Sequence, residues 1–306
     1  MDPQNILLGI VSFVNFFWGL IIFIQGRKKI SSILFSIFTF SIVLWTFAMI
    51  SYRASETDTL NWCRFLYVAA ILIPLAFLYF NYFFPEGKKR LSGRFYFALS
   101  LPAVVLIFLT IFSNYIIADA FRVPGEENRI VFGTLYFFYT LYISGYFGWS
   151  FFLLFISQKK YLGMIRAQLR YMLTGALLSS LIAMLTNLIL PWFGYFNLNW
   201  VGQAITPVWI SFTFYAIIRY RLMDIKFILS RGVIYILSFV LIIGFAFLAT
   251  IMTAEFLPHL PTQVSRVLIL IVSIFSFQYI FRFFEKLASK YFYYPFYSSQ
   301  RVLTDL

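Results

Sequence analysis

Runs of about twenty apolar residues, separated by short polar stretches, recur along the whole chain. A helix needs about 20 such residues to cross the hydrocarbon core of a bilayer. Nine runs qualify: residues 6–24, 31–52, 62–84, 95–115, 130–156, 171–190, 200–218, 233–254 and 267–281. The pattern therefore predicts an all-α polytopic membrane protein, a nine-helix transmembrane bundle. The seventh run is the weakest, because Gln203, Thr206 and Pro207 interrupt it. Deleting it would carry Arg219, Arg221, Lys226 and Arg231 to the opposite side from the other strongly basic loops, so nine runs are kept. No basic residue precedes the first run, and Arg27, Lys28 and Lys29 follow it. That is not the order of a cleavable signal peptide, and the first run is expected to stay in the mature protein.

Charge supplies an orientation. Nineteen of the 24 Lys and Arg residues fall in alternate loops on one side; Arg53, Arg64, Arg122, Arg129 and Arg266 make up the other. Basic residues concentrate on the cytoplasmic side, which places the N-terminus outside and the C-terminus in the cytoplasm. The same distribution accounts for the net charge of +13 through topology and anionic lipid headgroups, with no need for nucleic acid. Composition agrees: 62% of the residues are hydrophobic and 11% charged, and the mean hydropathy is +0.86. The chain has one histidine, His259, and one cysteine, Cys63. An intrachain disulfide and Cys/His metal sites are excluded, and neither a metal nor a cofactor is expected. No charge falls at mid-span, which argues against an ion-coupled transporter, and no catalytic pair is available at membrane depth.

The uncharged polar residues inside the runs carry the candidate chemistry. Gly175, Ser179, Ala183 and Asn187 recur at steps of four in the sixth run, a row of small groups that lets a neighbouring helix approach. Asn187 lies one turn before Pro191, where its amide can bond freed carbonyls or a ligand, and Asn15 and Asn81 have the same two readings. The fifth run interleaves Tyr136, Phe138, Tyr139, Tyr142, Tyr146 and Trp149 with Ser144, Gly145 and Gly148. Such walls suit an apolar pocket with hydroxyl tips, although 41 Phe residues throughout the chain make lipid-facing bulk the explanation of most of this enrichment. The candidate pocket residues are Asn187, Tyr139, Tyr142, Trp149 and Gln203. His259, between Pro258 and Pro261, reads as an ordinary loop residue.

Three stretches resemble the N-terminal seven-helix membrane region of bacterial sensor histidine kinases. These are LIPLAFLYFNYFFPEGKKR (72–90), with its mid-span proline and Phe-Pro exit, RYMLTGALLSSLIAMLTNLILP (170–191) and YAIIRYRLMDIKF (215–227). They occur in the family's order across residues 1–227, and two further runs follow, as in many family members. The resemblance implies a signal-input module that feeds a phosphoacceptor helix and an ATP-binding domain. This sequence departs there: its only His lies outside the membrane and residues 282–306 hold no Gly-rich nucleotide loop, so no enzyme activity is expected of this chain.

The resulting organisation is a seven-helix sensor region (1–227), two further transmembrane helices (228–281) and a cytoplasmic juxtamembrane linker (282–306). Ile280, Phe284, Leu287, Tyr291 and Tyr294 follow a 4, 3, 4, 3 spacing, either a coiled-coil seam or an interfacial helix, ended by Pro295. In the loop 219–232, Arg221 and Asp224 are placed for an i, i+3 pair. Arg221, Asp224, Phe284 and Leu287 are the candidate signal-coupling residues. The expected function is input to a two-component-type sensor in the bacterial cytoplasmic membrane. It would detect a small apolar or amphipathic signal, or the state of the membrane. The expected partners are membrane lipid, a second copy in a homodimer, and a histidine kinase domain in cis or trans. The alternative is a carrier or lipid-handling protein without a fused effector.

Overall fold

The computed structural model describes residues 2–26, 28–84, 92–123, 126–210, 212–213, 238, 242 and 262–288. The chain divides into two compact units, Met1–Lys226 and Phe227–Leu306. In the first, α1 (Pro3–Gly26), α2 (Ile30–Ala54), α3 (Thr59–Phe83) and α4 (Gly93–Phe112) precede strands β1 (Ile117–Phe121) and β2 (Arg129–Phe132). There follow α5 (Tyr136–Lys160), α6 (Gly163–Met184), a π-turn (Leu185–Ile189), α7 (Leu190–Trp192) and α8 (Val201–Ala204), whose helical path runs on to Ile210. In the second unit, α9 covers Thr262–Ala288.

Six helical stretches are long and apolar enough to cross a membrane: Pro3–Ile24, Ile30–Ala54, Thr59–Phe83, Gly93–Phe112, Tyr136–Lys160 and Gly163–Trp192. The chain is a multi-pass, helical membrane protein. Helices suit this solvent because each satisfies its own backbone polar groups. Side-chain hydroxyls inside them are satisfied in the same way: Ser36, Thr39, Ser41 and Thr46 each donate to the carbonyl four residues back in α2 at 2.9 Å.

Helix α3 is central and α4 peripheral. The most apolar stretch of α3 is 61% buried, against 22% for α4. α3 packs against α2, α4 and α5. α4 instead exposes Phe97, Val104, Phe108 and Phe112, side chains that hydrocarbon tails would cover. In the interior, Phe38 of α2 and Phe77 of α3 close around Trp209, with ring centroids 4.6 and 4.7 Å from the indole.

The structure alters the sequence reading at three places. The wholly helical expectation is replaced in one loop by an antiparallel hairpin pairing Ile117 with Phe132 and Ala120 with Ile130. Residues 130–132, assigned above to the fifth run, are therefore strand, and α5 begins at Tyr136. Four alternating residues are too few to stand out beside an apolar run of 25. The sixth helix starts at Gly163, so Arg166 and Arg170 belong to its first turns. Long basic side chains can reach polar surroundings from a helix end. In the seventh run the helical stretch Val201–Ile210 is shorter than a full crossing among the described residues. The eighth run apart from residues 238 and 242, and Arg221, Asp224, His259, Tyr291 and Tyr294, lie outside the described residues.

Candidate functional site

Pro191 governs the shape of the site. It has no N–H to give Asn187, four residues earlier, and its ring crowds that carbonyl. The helix responds with the wider π-turn at Leu185–Ile189, in which the Leu190 N–H reaches back to Leu185. Such single-turn widenings recur at functional sites. Here the turn brings Asn187 and Leu188 to the wall of a cavity of about 80 Å³.

The cavity lies among α2, α3, α5, α6 and the helix after Val201. Ile42, Leu66, Ile73, Ile143, Phe147 and Met184 supply apolar walls. Tyr67, Tyr139, Asn187, Asn199, Thr206 and Trp209 also line it, almost entirely through apolar surface, and no lining residue is charged. The row of small residues forms one wall. Ser179, Ala183 and Asn187 line the cavity, and a Cβ on Gly175 would press into Phe212. Gly202 faces Asn187 so closely that any Cβ there would occupy the space of the amide.

A hydrogen-bond relay runs beside the cavity and crosses three elements. Asn15 of α1 donates to Thr206 at 2.9 Å, and Thr206 donates to the Gln203 carbonyl at 2.8 Å. The Gln203 side chain donates to Asn187 Oδ1 at 3.1 Å. Turning the Gln203 amide keeps that bond, at 3.3 Å, and adds donation to the Asn199 and Trp200 carbonyls, both at 3.1 Å. Asn187 donates to Thr186 at 3.0 Å, and Thr186 to the Ile182 carbonyl at 2.9 Å. The polar residues that weaken the seventh run as a hydrophobic span thus join α1 to the π-turn.

The α5 tyrosines point their hydroxyls at helix carbonyls. Tyr136 donates to Leu188 at 3.0 Å, Tyr139 to Tyr67 and Tyr142 to Ile71 at 3.1 Å, and Tyr146 to Leu99 at 2.6 Å. The acceptors cluster near Pro74, Pro102 and Pro191, each of which removes a donor from its helix ladder. Of the five candidate pocket residues, Tyr139 and Asn187 line the cavity, and Gln203 touches it through Asn187. Tyr142 is buried outside the lining, and Trp149 is 43% exposed with its ring against Tyr82. Phe284 and Leu287 are positions on α9, which continues as helix beyond residue 281.

Two lining residues escaped the sequence reading. The Trp209 indole N–H is buried with no hydrogen-bond partner among the described residues, and the buried Tyr67 hydroxyl has only that of Tyr136 beside it. Sequence offers no sign of this, since 21 Tyr and 7 Trp residues look alike until their neighbours are known.

A second polar cluster, also unforeseen, closes the hairpin end of the bundle. The Arg53 side chain is only 7% exposed. Its Nη atoms donate to Glu127, Asp2 and Gln4, and its Nε donates to Asn5 at 3.0 Å. Beside it, Tyr52 donates to the Asn128 carbonyl at 2.9 Å, and Asn128 returns a bond to the Tyr52 carbonyl at 2.7 Å. Burial alone would raise the Asp2 carboxyl. The bonds from Arg53 and the Gln4 N–H outweigh it and hold the group below its ordinary range. The cluster ties the segment before α1, the end of α2 and the loop before β2 into one rim.

These features sit on a chain that a family model, the N-terminal 7TM region of histidine kinase, matches over residues 7–226. The chain belongs to that family. The 7TM region of histidine kinases is a sensory part, and a cytoplasmic kinase domain is its partner in the parent protein. The cavity and the relay fall within the matched 7TM residues, as does the rim apart from Asp2, Gln4 and Asn5. No curated protein and no solved structure matches the chain.

Proposed function

We propose that this chain is the signal-input module of a two-component-type sensor in the bacterial cytoplasmic membrane. A small apolar or amphipathic signal enters the cavity beside the π-turn and biases the bundle between two packings. The last helix then carries the change to a cytoplasmic histidine kinase domain. The observation that carries this reading is an uncharged, largely apolar cavity built against an irregular helical turn within a sensory family region. The π-turn is a natural two-state element: returning it to α-geometry would rotate Asn187 and all that follows. A swing from 1:99 to 99:1 takes about 5.5 kcal/mol of differential binding, and a ligand shifts the equilibrium only by that difference.

The topology proposed with it is nine spans, the hairpin end outside and residues 282–306 in the cytoplasm, supported by the concentration of Lys and Arg on the opposite side from the hairpin. Residues 1–227 are the sensor, 228–281 two added spans and 282–306 the linker. Asn187, Tyr139 and Gln203 act at the cavity, with Tyr142 setting the α5 register and Trp149 at its rim. Arg221, Asp224, Phe284 and Leu287 couple the change to the output, in a homodimer surrounded by lipid.

A cavity-filling Ala183→Phe variant tests the function. In membranes from cells making the native protein, kinase phosphorylation is expected to lock at one level, whatever the growth extract supplied. Phosphorylation that still responds as in the native protein would remove the cavity from signalling. A solute flux in reconstituted liposomes that Ala183→Phe blocks would make the chain a carrier instead.

A further inference from the structure

The helix that carries the π-turn ends in a connection unlike the others at its end of the bundle. Trp192 packs edge-on against Tyr136, where α5 leaves the hairpin, with ring centroids 5.4 Å apart, so this connection begins at the hairpin end. Its neighbours there carry exposed charge: Glu56 between α2 and α3, and Arg122, Glu126 and Arg129 in and around the hairpin. Residues 192–200 carry none, and no charged residue occurs between Arg170 and Arg219. Instead Phe193 and Tyr195 are 73% and 68% exposed, and Leu198 is exposed beside them. Apolar surface of this kind marks an interaction site. It also continues the outward face of a membrane helix: Leu181, Leu185 and Ile189, four residues apart, are exposed, and Trp192 and Phe193 prolong that row past the helix end. Trp and Tyr rings collect at the level of lipid headgroups, where an apolar body and a polar tip are both satisfied.

The loop is tied firmly to the helix it leaves. The Phe193 and Tyr195 N–H groups both donate to the Leu190 carbonyl, at 3.1 and 3.0 Å, and that of Gly194 donates to Pro191 at 3.0 Å. This tight return puts Gly194 at φ +84°, a conformation that glycine adopts without strain. Phe196 is buried and pins the middle of the loop, with Tyr195 and Leu198 turned outward on either side. Both ends then bear on the π-turn. Leu190 is the residue that closes it, and Tyr136, beneath Trp192, donates to the Leu188 carbonyl. At the other end Gln203, one helical turn past Trp200, donates to Asn187.

We propose that residues 192–198 form an aromatic wedge seated at the headgroup level of the bilayer, through which the packing of lipid headgroups sets the π-turn. The proposal takes the π-turn as the moving element, as above, but needs no ligand in the cavity. Headgroups too small for their chains leave apolar gaps at that level. Rings such as those of Phe193 and Tyr195 fill such gaps, so the wedge seats more firmly and holds the turn more tightly.

Two measurements on the full chain in nanodiscs test this. A spin label on Phe193→Cys or Tyr195→Cys is expected to collide more with oxygen, and less with a water-soluble nickel chelate, than one on Glu56→Cys. Cys63 is fully buried, out of reach of the label. Labels at 193 and 195 as open to the chelate as the label at 56 overturn the proposal. Hydrogen exchange of the π-turn amides is then compared in dioleoylphosphatidylglycerol and in an equal mixture with dioleoylphosphatidylethanolamine, whose headgroup is smaller. The mixture is expected to slow exchange about fivefold, the low end of ordinary coupling between sites. The double variant Phe193→Ser, Tyr195→Ser is expected to lose that difference. Both positions are exposed, and unchanged exchange in α3 shows that the variant keeps the fold. Exchange that ignores the lipid, or that responds equally in the variant, overturns the proposal. None of these outcomes depends on the cavity, which Ala183→Phe tests separately.

Discussion

The rim and the cavity treat polar groups in opposite ways. At the rim a full positive charge is buried, and all three nitrogens of Arg53 have acceptors. Around the cavity the groups are merely polar, yet the Trp209 indole N–H goes without. That order follows cost, since an unmatched charge is far dearer than an unmatched neutral donor. The difference separates two duties. The rim fixes where α1, α2 and the hairpin loop meet, whereas the cavity keeps an almost wholly apolar space inside the bundle.

The sharpest way to break this contrast is to remove the rim charge. Arg53→Met leaves Asp2 and Glu127 facing each other without a cation and is expected to cost about 3 kcal/mol in reversible unfolding from mixed micelles. Adding Glu127→Gln should restore part of that loss. A cost near zero would make the rim ornamental. Next in size, Gly202→Ala drives a methyl into the Asn187 amide and should cost about 1–3 kcal/mol, as overpacking does. It should also break the Gln203 bond, seen as faster amide exchange along the π-turn.

Two tyrosines that share the cavity wall make a finer comparison. Tyr139→Phe loses a bond to the Tyr67 carbonyl and should cost about 1 kcal/mol. Tyr67→Phe should cost less, because its hydroxyl has only that of Tyr136 beside it and no carbonyl to lose. Equal costs would erase the distinction between matched and unmatched groups. The smallest effect is in pH. The folded Asp2 carboxyl titrates below its ordinary value of 3.8, so its contribution is complete above that value and is lost as pH falls through the folded pKa. Because Asp2 is 39% exposed, solvent screens the pair. Asp2→Asn should flatten the acid limb of the stability curve slightly and leave stability unchanged across further acidification.

Hydropathy made most of the bundle legible, because a bilayer demands long apolar runs and tolerates few interruptions. The first four runs agree with α1 to α4 to within three residues at each end. What hydropathy missed was short or amphipathic: the strand Arg129–Phe132, hidden in an apolar run, and the Arg166 and Arg170 turns of α6. At the site, Asn187 could be singled out because its place before Pro191 is a local fact. Tyr67 and Trp209 could not, since whether an aromatic tip finds an acceptor depends on helices distant in sequence. The same holds for Arg53, whose acceptors come from both the start of the chain and residue 127.

Helix α9 has a mechanical consequence. Its 27 residues include neither Gly nor Pro, so nothing in it invites a kink. At about 1.5 Å per residue it is a strut of about 40 Å, longer than a hydrocarbon core of about 30 Å. A strut of that kind does not dissipate motion along its length. A twist or thrust applied at one end of such a helix arrives at the other as the same angle or displacement. Whatever reads the far end need know nothing of the chemistry that moved it.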